Sequence, residues 1–182
     1  MTTNRIYFAY GLNMSPEIMA DKVAQARCLG PAKLEGWRLA YFGRSSMWGG
    51  GCESLVEEAG RTAWGLLYEL DQRQAELLDN MEDARMDGTG AYFHCPVKVE
   101  KDGAILPAVT YLKASCGPEA SPSTEALAKV CEGAALAGLP AEYCQELRDL
   151  NSVPAGFKVP RALVSFHQAS DSDDHCGACG AS

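Results

Sequence analysis

Residues 7–14 read as a buried strand that ends abruptly in a polar turn, followed by the start of a helix. Tyr7, Phe8 and Tyr10 are aromatic, as packed strands prefer, and Gly11 permits a positive φ. Ser15 and the two residues after it supply a favoured N-cap, a proline at the first helical position and an acid. Such a turn presents backbone N–H groups that can bind a carboxylate or a phosphate. An ordinary strand-to-helix connection shows the same pattern.

Four acids form the second candidate chemical feature. Asp79, Glu82 and Asp83 collect at the predicted C-terminal turn of a helix, and Asp87 follows just beyond it. The helix dipole disfavours negative charge at this end, so one of these acids is a candidate for proton transfer to a ligand held at the glycine turn. A solvated acidic face has the same spacing. The spacing alone does not show which of the four acids would transfer the proton.

A single CxxC motif near the C-terminus is the third feature. Cys176 and Cys179 follow His175, in a segment rich in Gly, Ser and Asp. Two thiolates supply half the ligands of a structural zinc site, and the sequence has no second CxxC. We therefore expect no metal or organic cofactor, with these three residues as the candidate ligands if a metal binds. The alternative is a tail, at residues 154–182, that contributes nothing to the chemistry.

Composition narrows the classes of partner. The chain has 182 residues, 47% of them apolar, and a formal net charge of −8, values typical of a single globular domain. The absence of a basic run argues against nucleic-acid and membrane partners, and it leaves small-molecule and protein partners open. No signal peptide or membrane-spanning run is recognisable, and the cysteines are sparse, so we expect a cytoplasmic protein. The sequence does not indicate an oligomeric state.

Periodicity and turn signals predict an α+β fold in which residues 1–153 form one domain. Strands are expected at residues 5–10, 33–42, 52–56, 62–70, 92–100 and 104–112, with Asp102-Gly103 as the hairpin turn between the last two. Helices are expected at about residues 16–24, 72–82, 123–137 and 141–150, the second of them capped by Asp71.

Three dispersed segments resemble the γ-glutamylcyclotransferase family. Residues 7–14 are similar to its YFAYGSN signature, residues 78–83 to its LDxxEG segment, and residues 138–147 to its GLPxxYxxxL stretch. Their order and spacing agree over about residues 5–150. The resemblance implies a compact, mixed β-barrel-like sheet with flanking helices.

The resemblance also implies the roles of individual residues. Glu82 takes the place of the catalytic glutamate, a general acid/base in the release of 5-oxoproline from γ-glutamyl amino acids or peptides such as glutathione. Tyr92 and Tyr111 take the places of tyrosines that line the pocket or contact the substrate. The glutamyl group is expected to lie against the backbone of the glycine turn, at Tyr7, Phe8, Ala9, Tyr10, Gly11, Leu12 and Asn13.

Two departures from the family pattern lie close to the expected site. Leu12 stands where the signature has serine, and Asp83 stands where a glycine follows the catalytic acid. They leave the substrate open, and two other functions remain in play. One is a cyclotransferase for γ-glutamylamines or γ-glutamyl-protected biosynthetic intermediates, and the other is a non-catalytic module that binds γ-glutamyl groups.

Overall fold

The computed structural model describes residues 4–159, and five strands in this part of the chain close into a barrel. The strands are β1 (Arg5–Ala9), β2 (Arg27–Phe42), β3 (Cys52–Leu70), β4 (Tyr92–Lys101) and β5 (Ala104–Lys113). Their order around the barrel is β1-β3-β2-β4-β5. β1 lies antiparallel to β3 and parallel to β5, and the other pairs are antiparallel, so the expected mixed, barrel-like α+β fold is confirmed.

Four α-helices accompany the barrel: α1 (Pro16–Lys22), α2 (Gln72–Glu82), α3 (Thr124–Leu136) and α4 (Ala141–Arg148). A 3₁₀ turn at Gly11–Met14 connects β1 to α1. No helix among residues 4–159 has both the length and the apolar character to cross a membrane. All four helices lie where the sequence predicts them, with ends shifted by one or two residues.

The alternation of side chains along β1 divides the core into two clusters. Phe8 and Tyr10 pack in one cluster with residues of α3 and α4, including Val130 and Tyr143. Tyr7 and Ala9 point to the opposite face of the strand and pack with residues of α1 and α2. β1 is therefore covered on both faces, which fixes the position of the turn at its end.

The prediction of two separate strands at residues 52–56 and 62–70 was wrong, because β3 is continuous from Cys52 to Leu70. β2 is also longer than predicted and pairs with β3 along most of its length. The exposed residues 58–61 have no partner in the β2–β3 register, so they form a bulge inside β3 instead of a turn between two strands. The bulge lies at the register shift between Glu35 and Trp37, where Gly36 has a φ of +80°.

The hairpin between β4 and β5 has the predicted turn. Asp102 and Gly103 both adopt positive φ, 51° and 79°, as a two-residue type I′ turn requires. The turn sets the register that places Tyr92 opposite Lys113 and His94 opposite Tyr111. The position of Tyr92 is thus set by a turn at the other end of its strand.

Helix α2 begins with a capping box. The Asp71 carboxylate accepts a hydrogen bond from the Gln74 backbone N–H at 2.8 Å, and the Gln74 side chain accepts one from the Asp71 N–H at 3.0 Å. We expect Asp71→Ala to lower the free energy of unfolding by about 1 kcal/mol, measured by urea denaturation. Arg73→Ala, on the exposed side of the same helix, is the control. Equal stability of the Asp71→Ala and wild-type proteins would show that this cap is dispensable.

Candidate active site

The glycine turn and the acid cluster meet at one pocket of about 290 Å³. Leu12 lines it from the turn, Glu82 from the end of α2 and Tyr92 from β4. Lys22 lines it from the last turn of α1, and Glu53 lines it from β3. Trp48 and Met47, in the loop before β3, extend the wall with apolar surface. Segments distant in the sequence thus surround a single space.

Glu82 is held by a cation and an amide. Its Oε1 lies 2.5 Å from Lys22 Nζ and accepts a hydrogen bond from Asn13 Nδ2 at 2.8 Å. Lys22 also donates to Asn13 Oδ1 at 2.7 Å, which closes a three-residue network. The Lys22 and Glu82 side chains are only 12% and 17% exposed, so this ion pair is screened less than a surface pair.

Asn13 is the part of the turn that contacts the acid. It is buried, and its Nδ2 also donates to the Tyr7 hydroxyl at 2.9 Å. Burial raises the pKa of Tyr7 well above its usual value, as does the nearby charge of Glu82, so the Tyr7 hydroxyl keeps its proton at neutral pH. The turn therefore fixes the Glu82 carboxylate through a side chain as well as shaping the pocket through its backbone.

The other three acids of the cluster are bound elsewhere. Asp79 accepts hydrogen bonds from Arg5 at 2.6 Å, Tyr111 at 2.5 Å and His94 at 3.0 Å. Asp87 accepts from both the backbone and the side chain of Thr89. Asp79, Asp83 and Asp87 line a different cavity. Of the four acids, Glu82 alone lines the pocket at the turn, so the structure distinguishes it where the spacing in the sequence does not.

Asp83 adopts the left-handed conformation, with φ 47°, at the C-cap of α2. A glycine is favoured there, and aspartate is one of the residues that tolerate it. Its carboxylate accepts hydrogen bonds from Ala91 N–H at 2.9 Å and from Arg85 Nε at 3.0 Å. Those bonds lower the pKa of Asp83, the Ala91 N–H first. Through these hydrogen bonds Asp83 stabilises the loop that joins Glu82 to Tyr92.

The predicted substrate-binding residues occupy three kinds of position. Leu12 and Tyr92 line the pocket, and the Tyr92 hydroxyl donates to the Glu53 carbonyl at 3.0 Å. Gly11, with φ 59°, lies beneath the Glu53 carboxyl. The predicted residues that precede the turn are buried in the wall behind it, namely Tyr7, Phe8 and Ala9 of β1 and the next residue, Tyr10. Tyr111 is also buried, and its hydroxyl donates a hydrogen bond to Asp79. The centre of its ring lies 4.9 Å from the centre of the Tyr7 ring.

The sequence reasoning missed the two other charged residues of the pocket, Lys22 and Glu53. Lys22 is one of two lysines on predicted helices, the other being Lys129, and nothing in its spacing distinguishes it. Glu53 left a weak signal, since it is an acid next to the buried Ser54 and Leu55 in a predicted strand. The candidate metal ligands His175, Cys176 and Cys179 lie outside the described residues. Within residues 4–159 no group of three or more His, Cys, Asp or Glu is placed to hold a metal.

Comparison with known proteins agrees with this geometry. The model of the AIG2-like family matches residues 62–147. The γ-glutamylcyclotransferase of Homo sapiens is 28% identical over 148 residues, which cover 79% of this chain and 77% of that protein. The γ-glutamylcyclotransferase of Bos taurus is 25% identical over 175 residues, 93% of this chain and 91% of that one.

Solved structures show the same likeness. One described as a γ-glutamyl cyclotransferase superposes with a TM-score of 0.80 at 26% identity, covering 87% of this chain and 95% of that one. YkqA from Bacillus subtilis superposes with a TM-score of 0.69 at 25% identity, covering 85% of this chain and 56% of that one. The resemblance to the γ-glutamylcyclotransferase family, inferred from three short motifs, is thereby confirmed in both sequence and fold.

Proposed function

We propose that this protein is a cyclotransferase that releases 5-oxoproline from γ-glutamyl amino acids or peptides, with Glu82 exchanging protons with the substrate. The observation that carries the proposal is the meeting of Glu82 and the turn at Leu12 in one pocket. The similarity to proteins named γ-glutamylcyclotransferase supports the same reaction class.

The reaction needs little from the protein beyond conformation and proton transfer. A γ-glutamyl compound contains its own nucleophile, an α-amine that can close a five-membered ring on the γ-carbonyl. Holding the bent conformer makes the attack intramolecular, an advantage on the order of 7 to 11 kcal/mol over a bimolecular reaction. Glu82 lies at the pocket wall as the carboxylate that accepts the proton of the attacking amine.

Lys22 supplies positive charge for the substrate's α-carboxylate. Its ammonium has three N–H donors, of which one is directed to Glu82 and one to Asn13. The third has no partner among residues 4–159, and it can donate to a ligand in the pocket that Lys22 lines. Lys22 thereby contacts both the α-carboxylate of the substrate and the proton-accepting Glu82. Because the α-amine is attached to the same carbon atom as the α-carboxylate, it then lies close to Glu82.

Substitution of Lys22 by methionine tests this role. We expect kcat/KM to fall by about 10- to 100-fold, because a charge-assisted hydrogen bond contributes about 1.5 to 3 kcal/mol. The Michaelis constant should rise if the ammonium binds substrate. Lys129→Met is the matched control, since Lys129, on α3, forms its ion pairs with the exposed residues Glu17 of α1 and Glu132 of α3. An unchanged kcat/KM in Lys22→Met would exclude this role.

The function itself is tested by incubating the wild-type protein with γ-glutamyl-alanine, glutathione and γ-glutamyl-lysine, and measuring 5-oxoproline and free amine. We expect equal amounts of both products from the first or second compound. Release from γ-glutamyl-lysine alone would assign the protein to the γ-glutamylamines. Absence of 5-oxoproline with all three, together with measurable binding, would instead identify a binding module.

A further inference from the structure

A second carboxyl, that of Glu53, rests on the glycine turn inside the same pocket. Both of its carboxyl oxygens lie 2.9 Å from the backbone nitrogen of Leu12. A Cβ atom built on Gly11 would lie 2.2 Å from Glu53 Oε2, so the carboxyl is in direct contact with the turn. Glu53 belongs to none of the three family-like segments.

The two carboxyls of the pocket have unlike partners. Glu82 has the Lys22 ammonium and the Asn13 amide. Glu53 has one hydrogen bond, from the Leu12 N–H, and no ion pair is formed by its carboxyl among residues 4–159. A partly buried carboxylate with one donor is poorly stabilised, whereas the neutral acid needs fewer partners. The geometry therefore favours a protonated Glu53 beside the Glu82 side chain that is paired to Lys22.

The groups that face Glu53 strengthen this difference. Burial raises the pKa of Glu53 to about 8, an effect that the Leu12 N–H and the Lys22 charge oppose and the Glu82 charge reinforces. The Lys113 ammonium, on β5, lies 5.7 Å from the centre of the Tyr92 ring, and it forms no ion pair with the Glu53 carboxyl among residues 4–159. Burial also raises the pKa of the thiol of Cys52, the residue before Glu53. It raises the pKa of the surrounding tyrosines as well, so these hydroxyls stay neutral: Tyr7, Tyr10, Tyr41, Tyr92 and Tyr143.

We propose that Glu53 is a second catalytic residue, which protonates the leaving amine while Glu82 serves as the base for the attacking amine. This inference rests on the proposed cyclotransferase function. It follows from two carboxyls that line one pocket from different elements, β3 and α2, with one paired to a cation and the other not. Two such groups in unlike environments can divide acid and base roles between them.

The step balances in protons and electrons. The neutral α-amine nitrogen bonds to the γ-carbonyl carbon, and one of its protons passes to the Glu82 carboxylate. The bond from the γ-carbonyl carbon to the leaving nitrogen then breaks, and the electron pair stays on that nitrogen, which takes the proton of the Glu53 carboxylic acid. Glu53 ends ionised and Glu82 protonated. Transfer of one proton from Glu82 to Glu53 through water restores the starting state.

The test compares two substrates whose leaving groups differ in how strongly they require protonation by an acid. Glu53→Gln keeps the size of the side chain but has no transferable proton. It is compared with the wild type on γ-glutamyl-alanine, whose leaving amine must be protonated, and on γ-glutamyl-4-nitroanilide, whose leaving group departs far more readily without a proton. Glu57→Gln, an exposed position on the same strand, is the matched control. The pH dependence of kcat/KM is recorded for each protein and substrate.

We expect Glu53→Gln to lose about 100-fold in kcat/KM on γ-glutamyl-alanine and less than about tenfold on the nitroanilide. The wild-type rate on γ-glutamyl-alanine should fall as the pH rises through about 8, and Glu53→Gln should lack this decline. Equal losses on both substrates, or no loss on either, would overturn the role of Glu53 and leave the cyclotransferase function standing. A wild type inactive on both substrates would overturn the function and this inference together.

Discussion

Substitution of Glu82 by glutamine is expected to lower kcat/KM for γ-glutamyl substrates by about 1,000-fold. A glutamine carbonyl can still accept the hydrogen bonds that Lys22 and Asn13 donate to Oε1, so the network around the pocket should persist. What the variant lacks is a group that takes the proton of the attacking amine. We therefore expect kcat to fall with little change in the Michaelis constant.

The matched control for this prediction is Glu76→Gln. Glu76 lies on the same helix but is exposed, and its carboxylate accepts a hydrogen bond from Gln72 on the helix surface. The control should keep full activity and unfold at the same urea concentration as the wild type, and Glu82→Gln should remain folded under the assay conditions. Initial rates of 5-oxoproline release give the comparison. Activity within tenfold of the wild type in Glu82→Gln would exclude Glu82 as the proton-transferring group.

Features set by neighbours in the sequence could be predicted. The hairpin depends on Asp102 and Gly103, whose positive φ values suit those residue types. The start of α2 depends on Asp71 and Gln74, three residues apart. The continuous strand β3 was not predictable in the same way, because its exposed middle, residues 58–61, is a bulge in the register with β2, and the local sequence there is typical of a turn.

The chemistry of the pocket depends on long-range contacts. Glu53 is 41 residues from Leu12, and Lys22 is 60 residues from Glu82. The closure of the barrel brings these pairs together, and no local pattern of apolar and polar residues encodes which strand lies beside which. Glu82 was identified only because the family resemblance distinguished it from the three acids around it.

The helix that carries Glu82 is held against the barrel by Leu78. This side chain is fully buried and packs in the cluster that contains Tyr7 on β1 and Met19 on α1. Truncation to alanine removes buried methyl groups and leaves a cavity, so we expect the free energy of unfolding to fall by about 3 kcal/mol. Leu77→Ala is the matched control, because the neighbouring Leu77 is 41% exposed and should cost less than about 1 kcal/mol.

Leu78→Ala should also change activity below its unfolding temperature. Positions 78 and 82 lie one turn apart on the same face of α2, so a looser contact at Leu78 displaces the Glu82 carboxylate relative to Lys22 and Asn13. Because proton transfer requires hydrogen-bond distances, we expect a several-fold fall in kcat at a temperature where the variant is fully folded. Urea denaturation and initial rates on the same preparations test both effects. A variant that is destabilised but keeps the wild-type kcat would show that the network around Glu82, and not the packing of α2, sets the position of the carboxylate.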